Sequence, residues 1–155
     1  MRPDLDVSPT LVIQRITRLG MLQEASFAEV FARHGLSWGE CLVLAALRRS
    51  GPPYQMSPTA LYGSLILSSG GMTKRCDRLE RAGLLERRAD PADRRGRLVT
   101  LTAKGKQLAD RLIVEHLANE ERLLSALSAA ERRKLGDLLR KLLVSEPFRA
   151  LDPVR

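Results

Sequence analysis

Cysteine and histidine are scarce in this chain, and long apolar runs are missing. Two cysteines among 155 residues, Cys41 and Cys76, are too few for a disulfide framework, and no Cys or His spacing suits a zinc site. The two histidines, His34 and His116, stand without a neighbouring nucleophile pattern. A Walker loop and a dinucleotide fingerprint are both absent. The adjacent Glu120 and Glu121 would point in different directions on a helix, so they make no carboxylate dyad. Neither catalysis nor a cofactor or metal is expected. No apolar run approaches the roughly 20 residues that cross a bilayer, and the opening MRPDLDVSPT lacks a signal-peptide core. A soluble, cytoplasmic chain with no membrane partner is the expectation.

Positive charge is what the chain has in excess. The formal charge is +8 and the sequence pI about 10.3, which favours a polyanionic partner. The excess is also concentrated. From Lys74 to Lys106 there are eleven basic residues against five acidic ones, so most of it sits on one fifth of the chain.

Helix signals organise the rest. Ser8-Pro9 and Ser57-Pro58 each place a hydroxyl before a proline suited to a first helical position. Ser37-Trp38-Gly39-Glu40 and Ser128-Ala129-Ala130-Glu131 match the capping box, and Thr102 precedes another helical stretch. Stops fall at Gly35, Gly51, Gly83 and Pro147. The spacing predicts helices over about 9–34, 38–49, 58–65, 69–82, 103–127 and 129–144, with strands over about 84–88 and 98–101. Residues 1–7 and 147–155 read as loose ends. The terminal helices carry more apolar surface than a small domain covers, including Leu108, Leu112, Leu117, Leu124, Leu135, Leu138, Leu139, Leu142 and Leu143. They are expected to meet one another, and the excess to pack against a second copy.

The stretch 68–102 carries the functional argument. A helix over 69–82 starts on Ser68, Ser69, Gly70 and Gly71, where exposed N–H groups and the helix dipole favour a phosphate. With Leu79, Met72 and Cys76 turned inward, Thr73, Lys74, Arg75 and Arg78 remain outside. Arginine and lysine suit guanine edges, and serine and threonine suit phosphates or bases. A charged hairpin over 84–101 follows, with Asp90-Pro91-Ala92-Asp93-Arg94-Arg95-Gly96-Arg97 at its tip. Guanidinium groups there fit the negative potential of a narrow minor groove. A helix followed directly by such a hairpin is the order of a winged helix-turn-helix, and it points to double-stranded DNA.

The run Leu-Ser-Ser-Gly-Gly-Met-Thr-Lys-Arg (67–75), then Asp77-Arg78-Leu79-Glu80, Ala82-Gly83-Leu84, Asp90-Pro91, Asp93-Arg94-Arg95, Val99 and Leu101-Thr102, resembles the MarR family of bacterial regulators. The similarity is dense over residues 57–105. The resemblance implies a mainly α fold: a winged helix-turn-helix lobe (37–102) with a two-stranded wing, and a helical dimerisation domain from residues 9–34 and 103–146. It further implies a homodimeric repressor that binds an inverted repeat and is released by a small molecule or oxidant. Arg95, oriented by Asp93, would enter the minor groove, with Arg94 and Arg97 beside it. Ser69, Gly70, Thr73, Lys74 and Arg75 would meet the major groove, and Ser57 and Thr59 the phosphates.

Family pockets lie between the dimerisation helices and the DNA-binding lobe. The candidates here are Arg15, Arg18, His34, Trp38, Tyr54 and Tyr62, a set suited to an aromatic carboxylate or phenol. Each also has a plainer reading, Trp38 as core, His34 as a helix-end partner and the arginines as surface groups. An oxidant-sensing regulator is one alternative. Cys76 lies among Lys74, Arg75 and Arg78, yet its helical phase groups it with buried residues, and Cys41 aligns with core positions. A non-specific architectural DNA-binding protein is the other.

Overall fold

The computed structural model describes residues 4–65 and 71–151, with the backbone alone at Arg94 and Arg95. Its elements run α1 (Ser8–Ala32), α2 (Trp38–Arg49), β1 (Gln55–Met56), α3 (Pro58–Gly63), α4 (Met72–Arg81), β2 (Leu85–Asp90), β3 (Asp93–Leu101), α5 (Ala103–Leu123), α6 (Ala129–Leu143) and α7 (Glu146–Arg149). The fold is mainly helical with a small antiparallel sheet in the order β1-β3-β2, a winged helix-turn-helix.

Local chemistry starts and stops the helices. Ser37 and Glu40 close a capping box at α2, and Ser128 and Glu131 close one at α6. Ser57 and Thr102 cap α3 and α5 through backbone N–H groups three residues on. Gly35, Gly51 and Gly83 adopt φ of 67°, 74° and 69°, the left-handed geometry that ends a helix cheaply at glycine. Ser8 behaves differently from the sequence expectation. It is already helical, and the Asp6 carboxylate accepts from its N–H (2.9 Å) and its hydroxyl (3.1 Å). An acidic side chain can take the capping role two residues before the helix, so the hydroxyl is not needed for it.

One core joins α1, α2, α4, α5 and the sheet. Val43, Leu44, Leu47 and Leu61 are fully buried, and Phe27, Phe31, Leu79, Leu84, Val99, Leu101, Leu108 and Leu112 pack with them. α5 sits against the turn before β2 so closely that a Cβ at Gly105 would be 2.0 Å from the Leu84 carbonyl oxygen.

Several expectations need correction. The sheet has a third strand, β1, pairing Gln55 with Thr100 and Met56 with Val99. Two residues carry no periodicity to read. The wing strands are longer than expected and reach Asp90 and Asp93. Their charged side chains alternate no apolar face, because a solvated two-stranded ribbon needs none. The chain beyond Ser145 is not all a loose end, since α7 forms there. Finally, α1 packs on α5, and α6 meets α5 through Arg132 and Glu121 at 2.6 Å but buries none of its residues.

Candidate nucleic-acid interface

Helix α4 is anchored through Met72, Cys76 and Leu79, spaced i, i+4, i+7 on its buried face. Its N-cap is Gly71, at φ 113°, a residue with no side chain to cap the first-turn N–H groups. Its C-terminal end is held instead. The Thr102 hydroxyl donates to the Gly83 carbonyl at 2.8 Å, and the Lys104 ammonium to that of Ala82 at 2.9 Å. Ser68, Ser69 and Gly70 lie outside the described residues.

The four outward candidates on this helix divide into two pairs. Thr73 and Lys74 are exposed. Arg75 is half-buried and lies over α2, where a Cβ at Gly39 would come within 2.4 Å of its Nε. Its Nη1 is buried without a hydrogen-bond partner among the described residues. Arg78 is exposed, its side chain 58% accessible, and it also contacts the protein. Its Nε stands 3.1 Å from Glu40 Oε1, and its Nη2 donates to the Gly35 carbonyl at 2.9 Å.

The hairpin is tied to the same helix. Arg87 on β2 pairs with Asp77 at 2.5 Å and with Glu80, which are three apart on α4. At the tip the Asp90 carboxylate accepts from the Ala92 N–H at 2.9 Å. The register runs from Ala89↔Arg97 straight to Asp90↔Asp93, leaving Arg94, Arg95 and Gly96 unmatched. This bulge collects the wing arginines at the turn. A Cβ at Gly96 would lie 3.0 Å from that of Asp90, so a glycine suits the tight return. Arg97 and Asp93 are exposed. At α3 the Ser57 hydroxyl accepts from the Ala60 N–H at 3.2 Å, and Thr59 is exposed beside it.

The ligand candidates are not brought together. Trp38 stacks with Phe27 and Phe31 at 5.2 and 5.5 Å and lines a cavity of about 300 Å³ between α2 and α5. The polar groups there are Arg49, His116 and the Cys41 thiol, among Phe31, Leu42, Leu112 and Ile113. His34 pairs with Glu115 at 2.9 Å. Tyr54 lies against Arg48 and Lys106, Tyr62 is exposed, and Arg15 and Arg18 are exposed on α1. None of these five lines the cavity. Arg49 and His116 escaped notice because only the packing of α2 on α5 turns them to one space. A second, more polar cleft of about 530 Å³ lies between α1 and α5, with Ser26, Glu29, Arg33, Asn119 and Arg122 among its walls.

Both thiols are buried. Burial, with the neighbouring Glu40 charge, pushes Cys41 up to about 12. Burial also raises Cys76, outweighing the Arg87 charge that opposes it. A reactive thiolate needs the reverse.

Comparison with known proteins gives consistent matches. The model of the MarR family matches residues 34–96. The transcriptional regulator PecS of Dickeya dadantii is 41% identical over 138 residues, covering 89% of this chain and 83% of PecS. The structure of an Escherichia coli MarR variant bound to operator DNA aligns with a TM-score of 0.72 at 25% identity, covering 88% of this chain and 96% of that one. Bordetella bronchiseptica BpsR, described with regulation of its DNA binding by 6-hydroxynicotinic acid, aligns at 0.74 with 27% identity, covering 87% and 94%.

Proposed function

The chain belongs to the MarR family of DNA-binding transcriptional regulators, and we propose that it acts as a homodimeric repressor of an inverted-repeat operator, released by a small ligand. The observation that carries the dimer is α6. This helix is well capped yet buries nothing, and it presents Leu135, Leu138, Leu139, Leu142 and Leu143 to solvent. α1 adds Leu11, Val12, Ile13, Ile16, Leu19 and Leu22. So large an apolar surface on a soluble protein marks an interface, and a second copy supplies the same helices in return. Residues 9–34 and 103–146 then form the dimerisation part and 37–102 the reading part.

In that dimer two α4 helices enter successive major grooves, roughly 34–36 Å apart. Thr73 and Lys74 face the groove, and the sequence candidates Ser68, Ser69 and Gly70 are assigned to the same contact. Ser57 and Thr59 approach phosphates through α3. Arg94, Arg95 and Arg97 carry the wing into the minor groove, with Asp93 orienting Arg95. The protein works where its DNA is, in the cytoplasm, and no described helix is long and apolar enough to cross a membrane.

The effector reading moves from the scattered candidates to the cavity beside Trp38. Its size and apolar walls suit a small aromatic acid or phenol, with Arg49 and His116 as its polar contacts. BpsR is regulated by a molecule of that class. A ligand that prefers a differently spaced dimer shifts the population off DNA. The raised thiols favour this over an oxidant switch. Arg95→Ala tests the wing: operator affinity in a gel shift should fall about tenfold or more while the dimer persists on gel filtration. Unchanged affinity would remove the wing from the interface.

A further inference from the structure

We propose that Glu40 and Arg78 form a positioning pair that fixes the recognition helix α4 to the junction of α1 and α2. Arg78 serves DNA reading through this pair rather than by touching DNA. The inference rests on the DNA-binding reading above.

Glu40 is an acid only 2% exposed, and both its oxygens are engaged. Oε2 accepts from the Ser37 N–H (2.7 Å) and hydroxyl (2.8 Å), which closes the α2 cap. Oε1 is left for Arg78, at 3.1 Å from its Nε. A buried carboxylate needs a charged partner, and Arg78 supplies it across two helices. The second donor of the same guanidinium reaches the Gly35 carbonyl at 2.9 Å, at the turn where α1 ends. One planar guanidinium that ion-pairs with Glu40 and donates a hydrogen bond to Gly35 ties the helix to two points of the α1–α2 junction, which a single ammonium does less well.

One turn earlier, Arg75 lies across Gly39, a contact that a Cβ there would obstruct. The first turn of α2 is therefore a seat for α4, and its two arginines are the feet. Base reading tolerates errors of about half an ångström, so a helix freed from this seat loses register with the groove. The capping-box spacing assigns Glu40 to α2 alone. Its second role appears only once α4 is packed beside it.

The sign of the effect separates this role from simple electrostatics. Glu40→Gln removes a negative charge from a lobe that meets a polyanion, so charge alone predicts tighter binding, whereas a positioning role predicts weaker binding. Arg78 as a phosphate contact would lower the salt slope of binding by about one when removed; as a positioning residue it leaves the slope unchanged.

The test uses the full chain and a duplex enriched by the wild-type protein from a random-sequence pool, with a shuffled duplex beside it. Affinities are measured over a salt series for wild type, Glu40→Gln, Arg78→Ala, Arg78→Lys and the Glu40→Gln/Arg78→Ala double variant. The expected result is a loss of about ten- to a hundredfold on the enriched duplex for each single variant. Little loss is expected on the shuffled one, Arg78→Lys should not rescue, and the double should be no worse than the worse single. Equal losses on both duplexes with a slope lowered by about one would overturn it, as would unchanged or tighter binding by Glu40→Gln. Should Glu40→Gln fail to fold, Arg78→Ala, which leaves the α2 cap intact, decides by its slope and by the ratio of the two affinities. A wild-type protein that enriches no sequence would overturn the DNA-binding reading and this inference with it; enrichment with a failed cycle would overturn this inference alone.

Discussion

A methyl group at position 105 would meet the Leu84 carbonyl at 2.0 Å, a distance that only backbone movement relieves. Gly105→Ala is therefore expected to cost about 1–3 kcal/mol, seen as a lowered melting temperature. Gly39→Ala meets only the far end of Arg75, a side chain that can move, so the expected loss of melting temperature is smaller. The thiols give a second residue-scale prediction. With Cys41 raised to about 12 and Cys76 also raised, both should resist iodoacetamide at pH 8 until denaturant is added, as followed by intact mass. Fast native labelling of either would revive the oxidant reading. The sign for stability follows from the same shift. Below about pH 9 both states keep the Cys41 proton; between 9 and 12 the unfolded chain loses it first, so stability falls as pH rises through that window.

At the scale of elements, α4 is held from two sides, by α2 through Glu40 and by the wing through Arg87. Asp77→Asn with Glu80→Gln should free the wing. The side chains in this network are a third or more exposed, so the stability cost stays within about 1 kcal/mol. The effect should instead appear as faster amide exchange in β2 and β3, and unchanged exchange there would contradict the coupling. Much at this scale was legible in the sequence. Capping boxes and helix-ending glycines are encoded within a few residues, so Ser37–Glu40, Ser128–Glu131, Gly35 and Gly83 read correctly. The inward face of α4 followed from its period. What could not be read depends on neighbours distant in sequence. Arg78 is outward and 58% exposed, but nothing local announces that it also reaches Glu40, or that Arg75 lies over Gly39. Of the ligand candidates only Trp38 lines the cavity between α2 and α5, because a cavity belongs to the packing of those helices and not to local sequence.

At the scale of the whole molecule, a large apolar surface is left uncovered on one chain. α6 offers a leucine stripe of which no residue is buried in its own chain, and Leu138 and Leu143 are 53% and 68% exposed. The apolar stripe is local and was plain in the sequence; in the proposed dimer its partner is a second copy. Pairing would cover that stripe and set two recognition helices at the spacing of one duplex turn, so dimerisation and sequence reading are one property. The most direct measurement is a titration of the enriched inverted repeat and its shuffled counterpart by fluorescence anisotropy at physiological salt, with stoichiometry from sedimentation. Two chains per repeat and a preference of about a thousandfold or more over the shuffled duplex are expected. Equal affinity for both duplexes, or a single chain bound per repeat, would contradict this.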